Sequence, residues 1–222
     1  MPQEGKPFID AGWIVANLDT VVVRLLQHLQ LVAIPLTIGF LISLGLAIWA
    51  IRMPRVLGSI TALTGILYTI PSLAAFAILI PITKLSLLTA IIPLTTYTLL
   101  IYFRNFVAGF QSVPPEVIEA ADGMGYARRD RLFRVELPLA VPLMITGLRL
   151  ASVTTIGLAT VAAILGDSFG GLGQFITEGL QTSFPTKTYL GAGLSIALAF
   201  AADALFVWVE RRVTPWARAG GR

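Results

Sequence analysis

The chain has 222 residues, 56% hydrophobic and only 13% charged, a composition that excludes an ordinary water-soluble domain and points to a membrane. It has no cysteine and a single histidine, His28, which excludes disulfides, thiolate metal sites, thiol catalysis and an intramembrane enzyme constellation, so no catalytic and no metal-binding residues are expected. The net charge of +4 comes from arginines flanking apolar runs rather than from a basic stripe, which fits a bilayer topology and speaks against nucleic acid.

In chain order, residues 1–28 carry Glu4, Lys6, Asp10 and Asp19 ahead of any long apolar run, which does not fit a cleavable signal peptide; the first span itself is expected to direct insertion. Ile14, Leu18, Val21, Val22, Leu25 and Leu29 recur at helical spacing, so this segment reads as an amphipathic helix on the outer surface. A transmembrane domain over residues 29–210 follows, then a cytoplasmic tail at 211–222.

Crossing the ~30 Å of hydrocarbon takes ~20 apolar residues. Residues 29–51 satisfy this without a charge, as do 56–82, where Pro71 removes a backbone hydrogen bond and predicts a kink, either a gating hinge or a matter of shape alone. The third span, 85–110, carries Pro93 and Arg104, and its Tyr97, Tyr102 and Phe103 read as core packing rather than as a cation cage.

The longest polar interval comes next. Pro114 and Pro115 open a short helix that Gly123 and Gly125 close; on a helical wheel Val117, Ala120, Ala121 and Met124 share an apolar side, opposite Glu119 with Glu116 and Asp122 beside it. A helix lying on lipid normally carries Lys and Arg on its polar face, so an acidic face asks for a protein partner.

Span four, 139–166, carries the small-residue ladder Gly147, Ala151, Thr155, Ala159 and Ala163, and span five, 188–209, carries Gly191, Ser195 and Ala199. Such ladders let helices approach closely in lipid and mark both spans as packing helices. Between them lies a glycine-rich stretch, Gly166 to Gly173, followed by a short helix to about Thr182. It lacks the lysine of a phosphate loop, and Gly170, Gly171, Leu172 and Gly173 read as an outer gate or a docking surface for a binding protein.

Five spans put the termini on opposite sides. The loops at 52–55 and 128–134 with the tail after 210 hold ten Lys or Arg, against Lys6, Arg24, Lys84 and Lys187 on the other side, so the N-terminus is expected outside and the C-terminus in the cytoplasm. Asp203 in span five is costly in hydrocarbon unless paired. By helical rise it lies ~10 Å above Glu210, Arg104 ~9 Å above Phe110 and Arg149 ~16 Å above Pro138. Depth therefore selects Arg104 as its partner, with Arg149, which lies about 200° from Gly147 and points toward the translocation path, as the alternative.

The series Glu119-Ala120-Ala121, then Gly125, then Val135, Leu137 and Pro138 resembles the signature loop of ABC importer permeases; only Val135, where that family often has Ile, departs from it. The Gly147-Leu148-Arg149 and Gly170-Gly171-Leu172-Gly173 segments and Tyr68-Thr69-Ile70-Pro71-Ser72 are similar to the osmoprotectant branch. The resemblance implies an all-α polytopic protein of the type I importer permease fold in a bacterial or archaeal cytoplasmic membrane, without a cofactor of its own. It also implies partners: a pair of ABC ATPase subunits coupled through Glu119, Ala120, Ala121, Gly125, Leu137 and Pro138, a second permease subunit, and an extracytoplasmic substrate-binding protein. The implied cargo is glycine betaine, choline or carnitine. The alternatives are a methionine-type amino-acid permease and, from another class, an ion-coupled secondary transporter.

Overall fold

The structure, a computed structural model, describes residues 8–166 and 169–218, so the expectations placed on Lys6, on Asp167 and Ser168 and on the last four residues lie outside the described residues. Among the described residues every regular element is helical. Helix α1 (Ala11–Ala16) starts at Asp10, whose carboxylate accepts the Trp13 N–H at 2.9 Å. After Asn17 the chain enters α2 (Leu18–Arg52), roughly 52 Å long, which overruns a ~30 Å hydrocarbon layer. The expected separation near residue 28 is therefore not a break in the helix: Arg24, Gln27 and His28 are interior residues of α2.

A short 3-10 turn (Pro54–Val56) leads into α3 (Leu57–Thr69), and α4 (Ser72–Thr83) begins behind Pro71. The expected kink is thus a complete interruption. Proline donates no hydrogen bond and disfavours a helical residue before it, so α3 ends before Ile70 and Pro71 takes the N-cap position of α4. Helix α5 (Leu87–Gln111) is followed by α6 (Pro115–Gly123), α7 (Arg128–Arg131), a π-helical turn (Leu132–Glu136) and α8 (Leu137–Ala162). Then come α9 (Gly173–Gln181), α10 (Pro185–Val213) and a 3-10 turn (Pro215–Arg218). Four of these stretches are each long and apolar enough to cross a membrane, and the interrupted α3–α4 pair brings the number to five when counted as one span.

The chain divides into two compact units, one made of Met1–Thr37, Ile70–Thr95 and Ser152–Ala202, the other of Ile38–Thr69, Thr96–Ala151 and Asp203–Arg222. In the first, Leu31, Phe76, Leu94, Ile156, Ala159 and Phe169 form a buried apolar cluster. Small residues set the helix approach there. A Cβ on Gly191 would sit 2.7 Å from the Leu172 carbonyl oxygen and 2.9 Å from Phe175 Cβ, and Ser195 receives a hydrogen bond from the Thr160 hydroxyl at 3.3 Å.

The second unit is centred on aromatic packing. Tyr102, Phe103 and Phe106 are fully buried, with Phe40 against Tyr102 and Phe106 at ring-centroid distances of 6.0 and 5.3 Å. Gly109 lies against the Ala140 backbone and Gly147 against Asn105, where an added Cβ would approach to 2.8 Å in each case. Tyr97, Tyr102 and Phe103 are buried in this core.

Candidate functional site

The acidic loop forms one continuous element in the second unit. Pro115 is the first residue of α6, where its missing N–H costs nothing. At the other end the Gly125 N–H donates to the Asp122 carbonyl at 3.0 Å and the Tyr126 N–H to the Ala121 carbonyl at 3.1 Å. This paired closure needs a left-handed residue, and Gly125 supplies it at φ +81°.

Which face of α6 packs on the protein differs from the helical-wheel expectation. Ala121 is buried and Ile118 half-buried, whereas Val117, Ala120 and Met124 are exposed together with Glu116 and Glu119. Asp122 is exposed as well, its carboxylate held there by Arg131, so an apolar strip and three carboxylates face outward. Leu137 and Pro138 lie half-buried at the start of α8.

Arg131 is the residue that sequence reasoning missed. Its Nη1 donates to both oxygens of Asp122, at 2.5 and 2.6 Å, while its Nε donates to Glu136 Oε1 at 2.7 Å. The π-helical turn explains the second contact, because an i→i+5 repeat brings residue 136 over residue 131. One guanidinium therefore ties the end of α6 to the start of α8. The signal was in the sequence as an arginine between two carboxylates, but the π register that joins them leaves no mark in composition. Around these residues lies a cavity of about 730 Å³ bounded by the ends of α2 and α5, the start of α3, α6 and the π-helical turn.

The ion pair of the spans is also in the second unit. Arg149 donates from Nε to Asp203 Oδ1 at 2.9 Å and from Nη2 to Oδ2 at 3.2 Å, and its Nη1 lies 3.8 Å from Glu210 Oε2. Asp203 and Glu210 share a face of α10 two turns apart, so one guanidinium serves both. Arg104, the partner expected from depth, is exposed and pairs with no carboxylate among the described residues. The partner of Asp203 is Arg149.

Gly170, Gly171, Leu172 and Gly173 are all buried in the first unit, which corrects their reading as a docking surface. Gly170 and Gly171 adopt φ of +66° and +85° and bring the backbone onto α2. The Gly171 N–H donates to Gln27 Oε1 at 3.1 Å and the Leu172 N–H to His28 Nδ1 at 3.4 Å. Nearby, Glu178 pairs with Lys187 at 2.7 Å and with Arg24 at 3.5 Å, and Lys187 lies 5.4 Å from the Trp13 ring centroid. No group of three or more metal-ligating side chains occurs among the described residues.

Residues 39–215 match the family described as "Binding-protein-dependent transport system inner membrane component". The chain is 32% identical over 189 residues to the glycine betaine/carnitine/choline transport system permease protein OpuCB of Bacillus subtilis, covering 85% of this chain and 86% of that protein. It is also 32% identical over 194 residues to the osmoprotectant import permease protein OsmW of Salmonella typhimurium, covering 85% and 89%. Among solved structures it resembles an inward-facing form of the MetNI methionine ABC transporter, with TM-score 0.77, 22% identity, and coverage of 90% of this chain and 98% of that one; this likeness concerns the fold.

Proposed function

The chain belongs to the family of binding-protein-dependent transport system inner membrane components, and from that premise we propose that it forms the translocation path of an ATP-driven importer for a small quaternary ammonium osmoprotectant. The cargo class rests on the permeases named for glycine betaine, choline and carnitine at 31–33% identity. The methionine-type alternative has only a shared fold behind it, and an ion-coupled carrier has no counterpart among these relatives.

The observation that carries the importer reading is the exposed side of α6. Val117, Ala120 and Met124 beside Glu116 and Glu119 form an amphipathic strip held rigid by a closed C-terminus and by Arg131, as a contact that transmits displacement requires. ATP hydrolysis then resides in a separate pair of ATPase subunits seated on this strip. A second permease subunit completes the path, and a binding protein delivers cargo from the opposite side, with the N-terminus outside and the C-terminus in the cytoplasm. In that arrangement Arg149 and Asp203 border the path and Pro71 marks the joint of the second span. Gly170 to Gly173 belong to an outer gate whose closed form is held by Gln27 and His28.

The test is uptake of labelled glycine betaine, choline, carnitine and methionine by a deletion strain and its complemented counterpart at high osmolarity. Loss of at least one quaternary ammonium flux, restored by the gene, is expected. Unchanged quaternary ammonium uptake with loss of methionine uptake would replace the cargo assignment with the amino-acid alternative.

A further inference from the structure

The cavity beneath α6 has a charge pattern that the coupling role does not use. Three arginines line it: Arg52 at the end of α2, Arg128 at the start of α7, and Arg131. Arg131 is consumed by Asp122 and Glu136, which are also the carboxylates of the lining. Arg52 and Arg128 form no ion pair among the described residues, so the cavity retains two uncompensated guanidiniums. Apart from Gln111 the remaining lining side chains are apolar and include Ile51, Val107 and Phe110, the last two buried.

We propose that this cavity is a binding site for a phosphate-bearing amphiphile, the headgroup of an anionic phospholipid, with the phosphate between Arg52 and Arg128 and the first part of the acyl region against Ile51, Val107 and Phe110. Three features carry it. Guanidiniums match phosphate oxygens in fork geometry and bind them while remaining ionised. The volume of about 730 Å³ lies in the range of small-molecule sites, and it combines an apolar wall with a few polar groups. The cavity also opens where α2 and α5 end, Arg52 following an apolar run that holds no charge from residue 29 to 51, so it lies at headgroup depth, where basic pockets between membrane helices bind anionic lipids. A free phosphate compound would use the same arginines but not the apolar wall. The site needs only membrane residence, not the cargo assignment.

The test uses the full-length protein in nanodiscs of phosphatidylcholine alone or mixed equally with phosphatidylglycerol, with retained lipid read by native mass spectrometry. Arg52→Gln and Arg128→Gln should each reduce retained phosphatidylglycerol about fivefold and together about thirtyfold, the loss expected for removing a cation at a lipid surface. Arg55→Gln, on the adjacent turn but outside the lining, should leave it unchanged; circular dichroism checks that each variant remains folded. A second arm adds millimolar inorganic phosphate to phosphatidylcholine discs and follows protection of arginines from phenylglyoxal. Protection of Arg52 and Arg128 there, with no lipid preference, would keep the phosphate site but assign it to a soluble ligand. Equal retention by wild type and double variant, without protection by phosphate, overturns the proposal. So does expulsion of the lipid on adding the ATPase with both arginines then shielded, since the cavity would be a seat for protein.

Discussion

Gly191 and Gly193 are two residues apart on α10, yet replacing each by alanine should move stability in opposite directions. Any helical glycine gains roughly 0.5–1 kcal/mol on replacement by alanine from backbone entropy alone. At Gly193 nothing lies within 4 Å of the new Cβ, so that gain should appear undiminished. At Gly191 the Cβ would meet the Leu172 carbonyl oxygen at 2.7 Å, Phe175 Cβ at 2.9 Å and Ile176 Cγ1 at 3.0 Å. A backbone oxygen and a Cβ cannot swing aside, so the overpacking cost should approach about 3 kcal/mol and leave a net loss of about 2 kcal/mol. For a chain of this size 1 kcal/mol corresponds to about 2–4 °C in Tm, so the two variants should differ by roughly 6–12 °C. Thermal unfolding of the purified chain in detergent, followed by circular dichroism and by monodispersity on gel filtration, measures this. Equal shifts of the same sign would refute the argument that close helix approach at Gly191 holds the first unit together.

Glu119→Lys should abolish transport and ATPase co-purification while membrane insertion persists, and Gly125→Val should weaken assembly because a β-branched residue at φ +81° costs about 1–2 kcal/mol; normal uptake by both would remove α6 from the mechanism. Arg131→Gln should raise hydrogen exchange in α6 about tenfold, the effect of losing two partly exposed ion pairs, with little change in overall Tm; unchanged exchange would show that α6 is held by packing alone. Asp203→Asn should couple with Arg149→Gln in a double-mutant stability cycle and not with Arg104→Gln, and coupling to Arg104 instead would refute the pairing. Single cysteines at Ser86 should label from outside and at Arg129 only from the cytoplasm; outside labelling at Arg129 would invert the topology.

The helix inventory was legible because uninterrupted apolar runs, Pro115 and Gly125 act locally. Features that depend on what a side chain meets elsewhere were not. Residues 1–28 read as an amphipathic surface segment, yet Gln27 and His28 are interior residues of α2 that accept the N–H groups of the glycine-rich segment. A polar residue spent on a backbone over a hundred positions away looks, in sequence, like one spent on water. The same limit applies to α6, where the wheel located an apolar side but could not show that Arg131 would hold Asp122 at the surface or that Val117 and Met124 would stay outside.

Depth was the wrong guide to the partner of Asp203, and direction decides it once the structure shows which helix Gly147 touches. Depth was measured from span ends, but α10 continues to Val213 and α8 starts directly from a π-helical turn, so the chosen origins were not at one level. A long arginine side chain also absorbs a turn of mismatch. Direction discriminates better. Gly147 marks the face of α8 that touches α5 at Asn105, and Arg104, ~100° around α5 from that contact, is turned away from it. Arg149, ~200° around α8 from Gly147, necessarily faces away from α5, and α10 supplies Asp203 and Glu210 to it. The ladder read only as packing thus also bears on the charge pairing, because once the helix that a glycine admits is known, the direction of every other side chain of that turn follows.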